Sequence, residues 1–170
     1  MIYCYALDVW DCWNDTTALL RLTVNQDVMA SDKRMACSPL SYQAVQYIDV
    51  HFPGESIRPY SIATAPRSDG RFDLHMRHRS EDAIFSQFRE QALALGQVSF
   101  SGPYGDCVLG RFFPQNWNIL VVQGTGFAPA NALIEASLAA QDGRLWHVFW
   151  QGRSQESLYC HKHLCDLVSS

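Results

Sequence analysis

The chain lacks any apolar run of the length that a membrane-spanning helix needs. It also lacks positive charge in excess: a net charge of −4 offers no basic footprint, which argues against a nucleic-acid partner. The opening MIYCYALDVWDCW has no basic start and places Asp8 and Asp11 early, so no signal peptide is expected and a cytoplasmic location follows by default. Internal repeats and low-complexity segments are missing too. Cys160 and Cys165 supply the first interval of a plant-type two-iron run, Cys-x4-Cys-x2-Cys, but Val168 stands where the third ligand belongs. The six cysteines (Cys4, Cys12, Cys37, Cys107, Cys160 and Cys165) are therefore expected to be free thiols. Cys160, His161, His163 and Cys165 are zinc-type ligands crowded together, yet on a helix only His161 and Cys165 share a face. With no second ligand cluster, an ordinary amphipathic helix is the expectation there, and no metal.

What the chain does have is apolar material. A hydrophobic share of 48% and five tryptophans in 170 residues suffice for a real core, as one domain or as a small domain with part of another. The first half alternates short β-rich stretches with polar or Pro/Gly punctuation, at residues 2–10, 18–24, 45–52, 57–63 and 72–76. That spacing suits an antiparallel barrel. One helix is expected over 81–95, then a strand at 98–101 leading into a Gly-Pro-Tyr-Gly turn.

The pattern changes after Pro114. In the stretch 118–122 the four residues after Asn118 are continuously apolar, as in a strand covered on both faces. A glycine-rich turn, a helix over 129–140, a second buried strand at 145–150 and an amphipathic helix over 154–168 follow. This β-α-β-α order opens a nucleotide-binding sheet. The boundary is placed near residues 113–118, giving segments 1–114 and 115–170.

Three short motifs occur in order. Arg58-Pro59-Tyr60-Ser61 sits in a strand, where alternation puts Arg58 and Tyr60 on one side. A cation and an aromatic face side by side suit a ligand with a phosphate and a flat ring, although alone they are equally a surface arginine and a barrel tyrosine. Gly102-Pro103-Tyr104-Gly105 is a turn. Gly124-Thr125-Gly126-Phe127-Ala128-Pro129 follows a buried strand and opens a helix, the context that brings backbone amides to a pyrophosphate.

Together the three motifs resemble the ferredoxin–NADP reductase family of flavoproteins. The resemblance implies a Greek-key, antiparallel flavin-binding barrel followed by a truncated parallel α/β nucleotide-binding domain. It implies FAD (or FMN) held by Arg58, Pro59, Tyr60 and Ser61, with Tyr60 stacked on the isoalloxazine ring and Ser61 beside its reactive edge, the two catalytic candidates. Leu74, His75, Met76 and Arg77 look like the family strand beside the ribityl and phosphate portion. Ser86 in the first helical turn and Arg79 are further candidates, and Gly102 and Gly105 close the barrel. Gly124, Thr125 and Gly126 would receive NADPH or NADH, with Arg153 near the adenosine 2′-phosphate. The implied activity is hydride transfer from NAD(P)H to flavin and onward electron transfer to an acceptor that the sequence does not name.

Four positions depart from the family pattern: Val45, Ala83, Gln123 and Gln151 stand where glycine is usual. Glycine serves positive φ or close approach, so a side chain there strains the backbone or fills space. Gln123 and Gln151 are expected at the C-terminal ends of neighbouring parallel strands, at the nucleotide mouth. With the later family strands absent, the apolar edge beside 145–150 invites a partner chain or a second copy. A flavin-binding electron-transfer or interaction subunit without productive NAD(P)H binding is therefore the second reading. A structural module that binds neither ligand is the third.

Overall fold

The computed structural model describes residues 2–24, 35–36, 39–113 and 117–168. The first segment is an antiparallel sheet of β1 (Ile2–Asn14), β2 (Thr17–Val24), β4 (Tyr47–His51), β5 (Ile57–Ser61), β6 (Phe72–Arg77) and β7 (Gln97–Tyr104). The short β3 (Met35–Ala36) pairs in parallel with β1. Strand order is β5-β4-β7-β1-β2-β6, and a bridge between Ile62 and Leu74 joins its two ends. The sheet thus closes into the expected barrel, which removes its free edges.

Alternation along the strands explains the core. Leu20 and Leu22 on β2, Ile48 and Val50 on β4, and Leu74 and Met76 on β6 turn inward and are fully buried with Tyr5, Phe72 and Phe100. Helix α1 (Ala83–Leu95) closes one end. It sets Phe85 and Phe88 against Trp10, and Phe88 stacks on Phe52 with centroids 4.1 Å apart. The helix starts two residues later than expected because Asp82 caps it, accepting a hydrogen bond from the Phe85 amide at 3.0 Å. Gly96 ends it in the left-handed conformation.

The second segment is a parallel pair, β8 (Trp117–Gln123) and β9 (Leu145–Gln151), with α2 (Phe127–Ala140) between them in the chain. The expected boundary at 114/115 falls outside the described residues. Two details differ from expectation. Among the described residues the strand pair is covered on one face: Leu120, Val122 and Trp150 pack towards α2. Trp117, Ile119, Val121, Leu145 and Phe149 lie on the other face and are each 61–79% exposed. A continuous apolar run does not reveal how many layers cover it, so the sequence overstated the burial. The helix expected over 154–168 is instead a 3₁₀ turn at Gln155–Ser157 followed by α3 (His161–Val168). Reciprocal capping between Ser154 and Ser157 closes the turn and separates it from the helix. Cys160, expected within that helix, precedes α3 and is buried, which pushes its thiol up to about 12.

One strain that the sequence anticipated is present. Val45, in the glycine position before β4, has φ of 80°. That conformation is an outlier for a β-branched residue and costs of order 1–3 kcal/mol. Val45→Gly is expected to stabilise the fold by about 1 kcal/mol after the extra chain entropy of glycine is deducted. A rise in the urea midpoint at unchanged slope would show it; a fall would mean that Val45 contributes more by packing than its backbone costs.

Candidate functional site

Strand β5 presents its motif on two sides. Arg58 and Tyr60 share one, as expected: the guanidinium lies 4.7 Å from the centre of the Phe52 ring, and Tyr60 stacks on the same ring at 6.2 Å. Pro59 and Ser61 point the other way and line a cavity of about 470 Å³ with Tyr47 and Asp49. The two residues assigned to chemistry, Tyr60 and Ser61, are thus not in one cavity. Burial raises the Tyr60 hydroxyl above its ordinary range, so it stays protonated.

Arg58 is engaged. Its Nη1 and Nη2 donate to Asp82 Oδ2 and Oδ1 at 2.6 and 3.0 Å, a bidentate pair. The fork holds the Asp82 carboxyl at about 2, helped by the Phe85 amide.

On β6 the side chains of Leu74, His75 and Met76 are buried, so any contact of these three with a ligand is through the main chain. His75 faces away from the barrel core and is covered by Trp13 and Tyr159, its Nδ1 3.1 Å from the Tyr159 hydroxyl. Arg77 is exposed, and with Arg79, Ser86, Arg89 and Arg153 it lines a cavity of about 890 Å³. Three separate expectations, the β6 cation, the α1 serine and the arginine after β9, therefore meet in one space. None of these four arginines has an ion pair among the described residues, although Asp15, Glu81 and Glu90 share the cavity.

The glycine turns are positioned by contact. A Cβ on Gly102, with φ of 143°, would meet Ile48 Cγ2 at 3.1 Å and Tyr47 O at 3.3 Å, so the turn requires glycine. Room beside Gly105 is used by the chain's own Tyr47 ring, 3.4 Å from where its Cβ would lie. Gly124, Thr125 and Gly126 form a 3₁₀ turn at the end of β8, leading straight into α2. Trp150 pins it, donating from Nε1 to Gly124 O at 3.0 Å and stacking on Phe127 at 4.0 Å. Gln123 and Gln151 are register partners at the ends of β8 and β9, and both are exposed.

Sequence reasoning missed what holds this turn against the barrel. Asn131 Nδ2 donates to Ala63 O at 2.8 Å, and Glu135 Oε2 accepts from the Ala65 amide at 3.0 Å. Polar residues inside an apolar helix were the available signal. Tyr159 adds a stacked contact with Trp13, centroids 5.0 Å apart.

Residues 19–108, more than half the chain, match the oxidoreductase FAD-binding domain family. The chain belongs to that family. The match runs from β2 through the turn after β7, so it takes in Arg58 to Ser61, β6, α1 and the Gly102–Gly105 turn. Phenol hydroxylase P5 protein of Acinetobacter pittii is 34% identical over 131 residues, covering 76% of this chain and 37% of that protein. An NAD(P)H-flavin reductase of Aliivibrio fischeri is 24% identical over 137 residues, covering 78% of this chain and 58% of that protein. A ferredoxin-NADP+ reductase variant from Plasmodium falciparum superposes with a TM-score of 0.75 at 14% identity, over 98% of this chain and 64% of that chain. That likeness bears on the fold. The chain thus spans well under two thirds of the curated relatives it matches.

The residues present fit the group that the family name implies. A dinucleotide flavin brings two phosphate charges and a flat ring. The larger cavity offers four guanidinium groups and the Ser80 and Ser86 hydroxyls, and β5 offers a tyrosine ring.

Proposed function

We propose that the chain is the flavin-binding part of an NAD(P)H-dependent oxidoreductase, with electrons passed on to a separate acceptor. The observation that carries this reading is the docking of α2. Asn131 and Glu135 fasten the helix to Ala63 and Ala65, two and four residues beyond Ser61. The turn that suits a nucleotide is therefore anchored beside the strand that suits a flavin.

A bound flavin supplies a hydride acceptor that can release electrons singly. The protein's share is placement. Arg77, Arg79, Ser86 and Arg153 offer charge and hydroxyls for phosphates; Tyr60 offers a ring face stiffened by Phe52; the Gly124–Gly126 turn sets the positive end of the α2 dipole at the end of β8. No side chain need move a proton, consistent with a protonated Tyr60 and the buried, neutral His75. The names of the relatives, an NAD(P)H-flavin reductase and a phenol hydroxylase P5 protein, support the reading.

Gln123 and Gln151 favour a second reading. Two exposed amide side chains in register at the mouth narrow the approach of a dinucleotide, as in a flavin-binding subunit reduced by something else. Anaerobic addition of NADPH, then NADH, to protein saturated with FAD separates the two. Bleaching of the flavin absorbance is expected. A bound flavin that stays oxidised would move the assignment to the subunit, and failure to bind flavin would remove both.

A further inference from the structure

Among the arginines around the proposed flavin site, Arg58 differs from the others. Arg77, Arg79, Arg89 and Arg153 face a cavity without an ion pair among the described residues, whereas the Nη1/Nη2 edge of Arg58 is taken by Asp82. Side-chain exposure is 29% for Arg58 and 23% for Asp82, so the pair is partly shielded from water. Asp82 is also held from the other side, by its cap on the Phe85 amide. A carboxylate bound in two places by a guanidinium has the charge and the bidentate shape of two phosphate oxygens.

We propose that Asp82 is an internal competitor for flavin phosphate at Arg58, and so the residue that sets how strongly this chain distinguishes phosphorylated flavins from riboflavin. The inference rests on the flavin reading above. A flavin phosphate reaches the Nη1/Nη2 edge of Arg58 only by displacing the Asp82 carboxylate, which is then left with the Phe85 amide and water. A flavin without phosphate leaves the pair intact. FAD and FMN thus bind more weakly than the cation count predicts, and their affinity, unlike that of riboflavin, carries the cost of opening the pair.

The test is equilibrium dialysis of FAD, FMN and riboflavin against the wild-type chain and Asp82→Asn. Asparagine caps a helix as well as aspartate does, so α1 keeps its start. Asp82→Ser, which also caps, guards against an effect particular to the amide, and thermal melts confirm that both variants fold. Both variants are expected to bind FAD and FMN about tenfold tighter or more, the scale of one charge-assisted contact, with riboflavin unchanged. Unchanged or weaker FAD binding, or a parallel shift for riboflavin, would overturn the proposal while the flavin reading stands. If no flavin binds to wild type or variants, the flavin reading falls. Calorimetric titration with inorganic pyrophosphate then decides the competitor alone: binding to Asp82→Asn but not to wild type retains it, and equal behaviour removes it.

Discussion

Phe127→Ala is expected to destabilise the second segment by about 3–5 kcal/mol, the usual cost of removing a buried phenyl ring. The site makes the upper part of that range reasonable. Phe127 is fully buried, and its cluster is small, with Ala130 and Cys160 the other buried members. Its ring lies nearly parallel to Trp150, at 10°. A cluster of this size has few side chains that can move in to fill the space.

The loss should reach the Gly124–Gly126 turn as well. Trp150 holds Gly124 through its indole N–H, and the indole is held by the Phe127 ring. The barrel core is a separate cluster around Tyr5, Phe72 and Phe100 and does not include Phe127. Flavin binding by the variant is accordingly expected to survive while reduction by NAD(P)H fails. Urea titration followed by tryptophan fluorescence, together with flavin dialysis, checks both parts. A loss below about 1 kcal/mol would show that the cluster repacks. Flavin binding lost in step with the second segment would show that the two segments do not separate energetically.

Phe127 also shows what was legible in the chain and what was not. It stands inside Gly-Thr-Gly-Phe-Ala-Pro, where sequence reading saw a turn for a ligand; its partner Trp150 is brought beside it by the parallel pairing of β8 and β9. The strands, the helix after β6 and the barrel were legible because period-two alternation and Pro/Gly punctuation are local. Arg58 and Tyr60 were placed on one side of a strand for the same reason. Ser61 falls on the opposite side by that very alternation. The pairing of Arg58 with Asp82, the stack of Trp13 on Tyr159 and the bond from Asn131 to Ala63 join residues far apart in sequence, and no local pattern marks such partners. Val45 lies between: a departure from a glycine pattern flagged the position, and its positive φ supplies the reason.

Acidification from pH 6.5 to pH 4 is expected to remove up to about 3 kcal/mol of stability through His75 alone. Burial holds its imidazole at about 4, outweighing the attraction of Asp73, and His163 acts in the same direction as burial. The folded chain therefore resists a proton that the unfolded chain accepts near 6.5. The contribution is complete above that value and is lost as the pH falls through the window towards 4. His78, stacked on Phe85 and also shifted down, adds with the same sign. Asp82 does not enter this window, because its carboxyl is held at about 2. Protonation would place a charge between Trp13 and Tyr159, where the barrel meets the chain leading into α3, so that contact should open first. In His75→Gln the dependence of the urea midpoint on pH between 6.5 and 4 should flatten, since glutamine can still meet the Tyr159 hydroxyl but takes up no proton. An undiminished slope in that variant would place the acid sensitivity elsewhere in the chain.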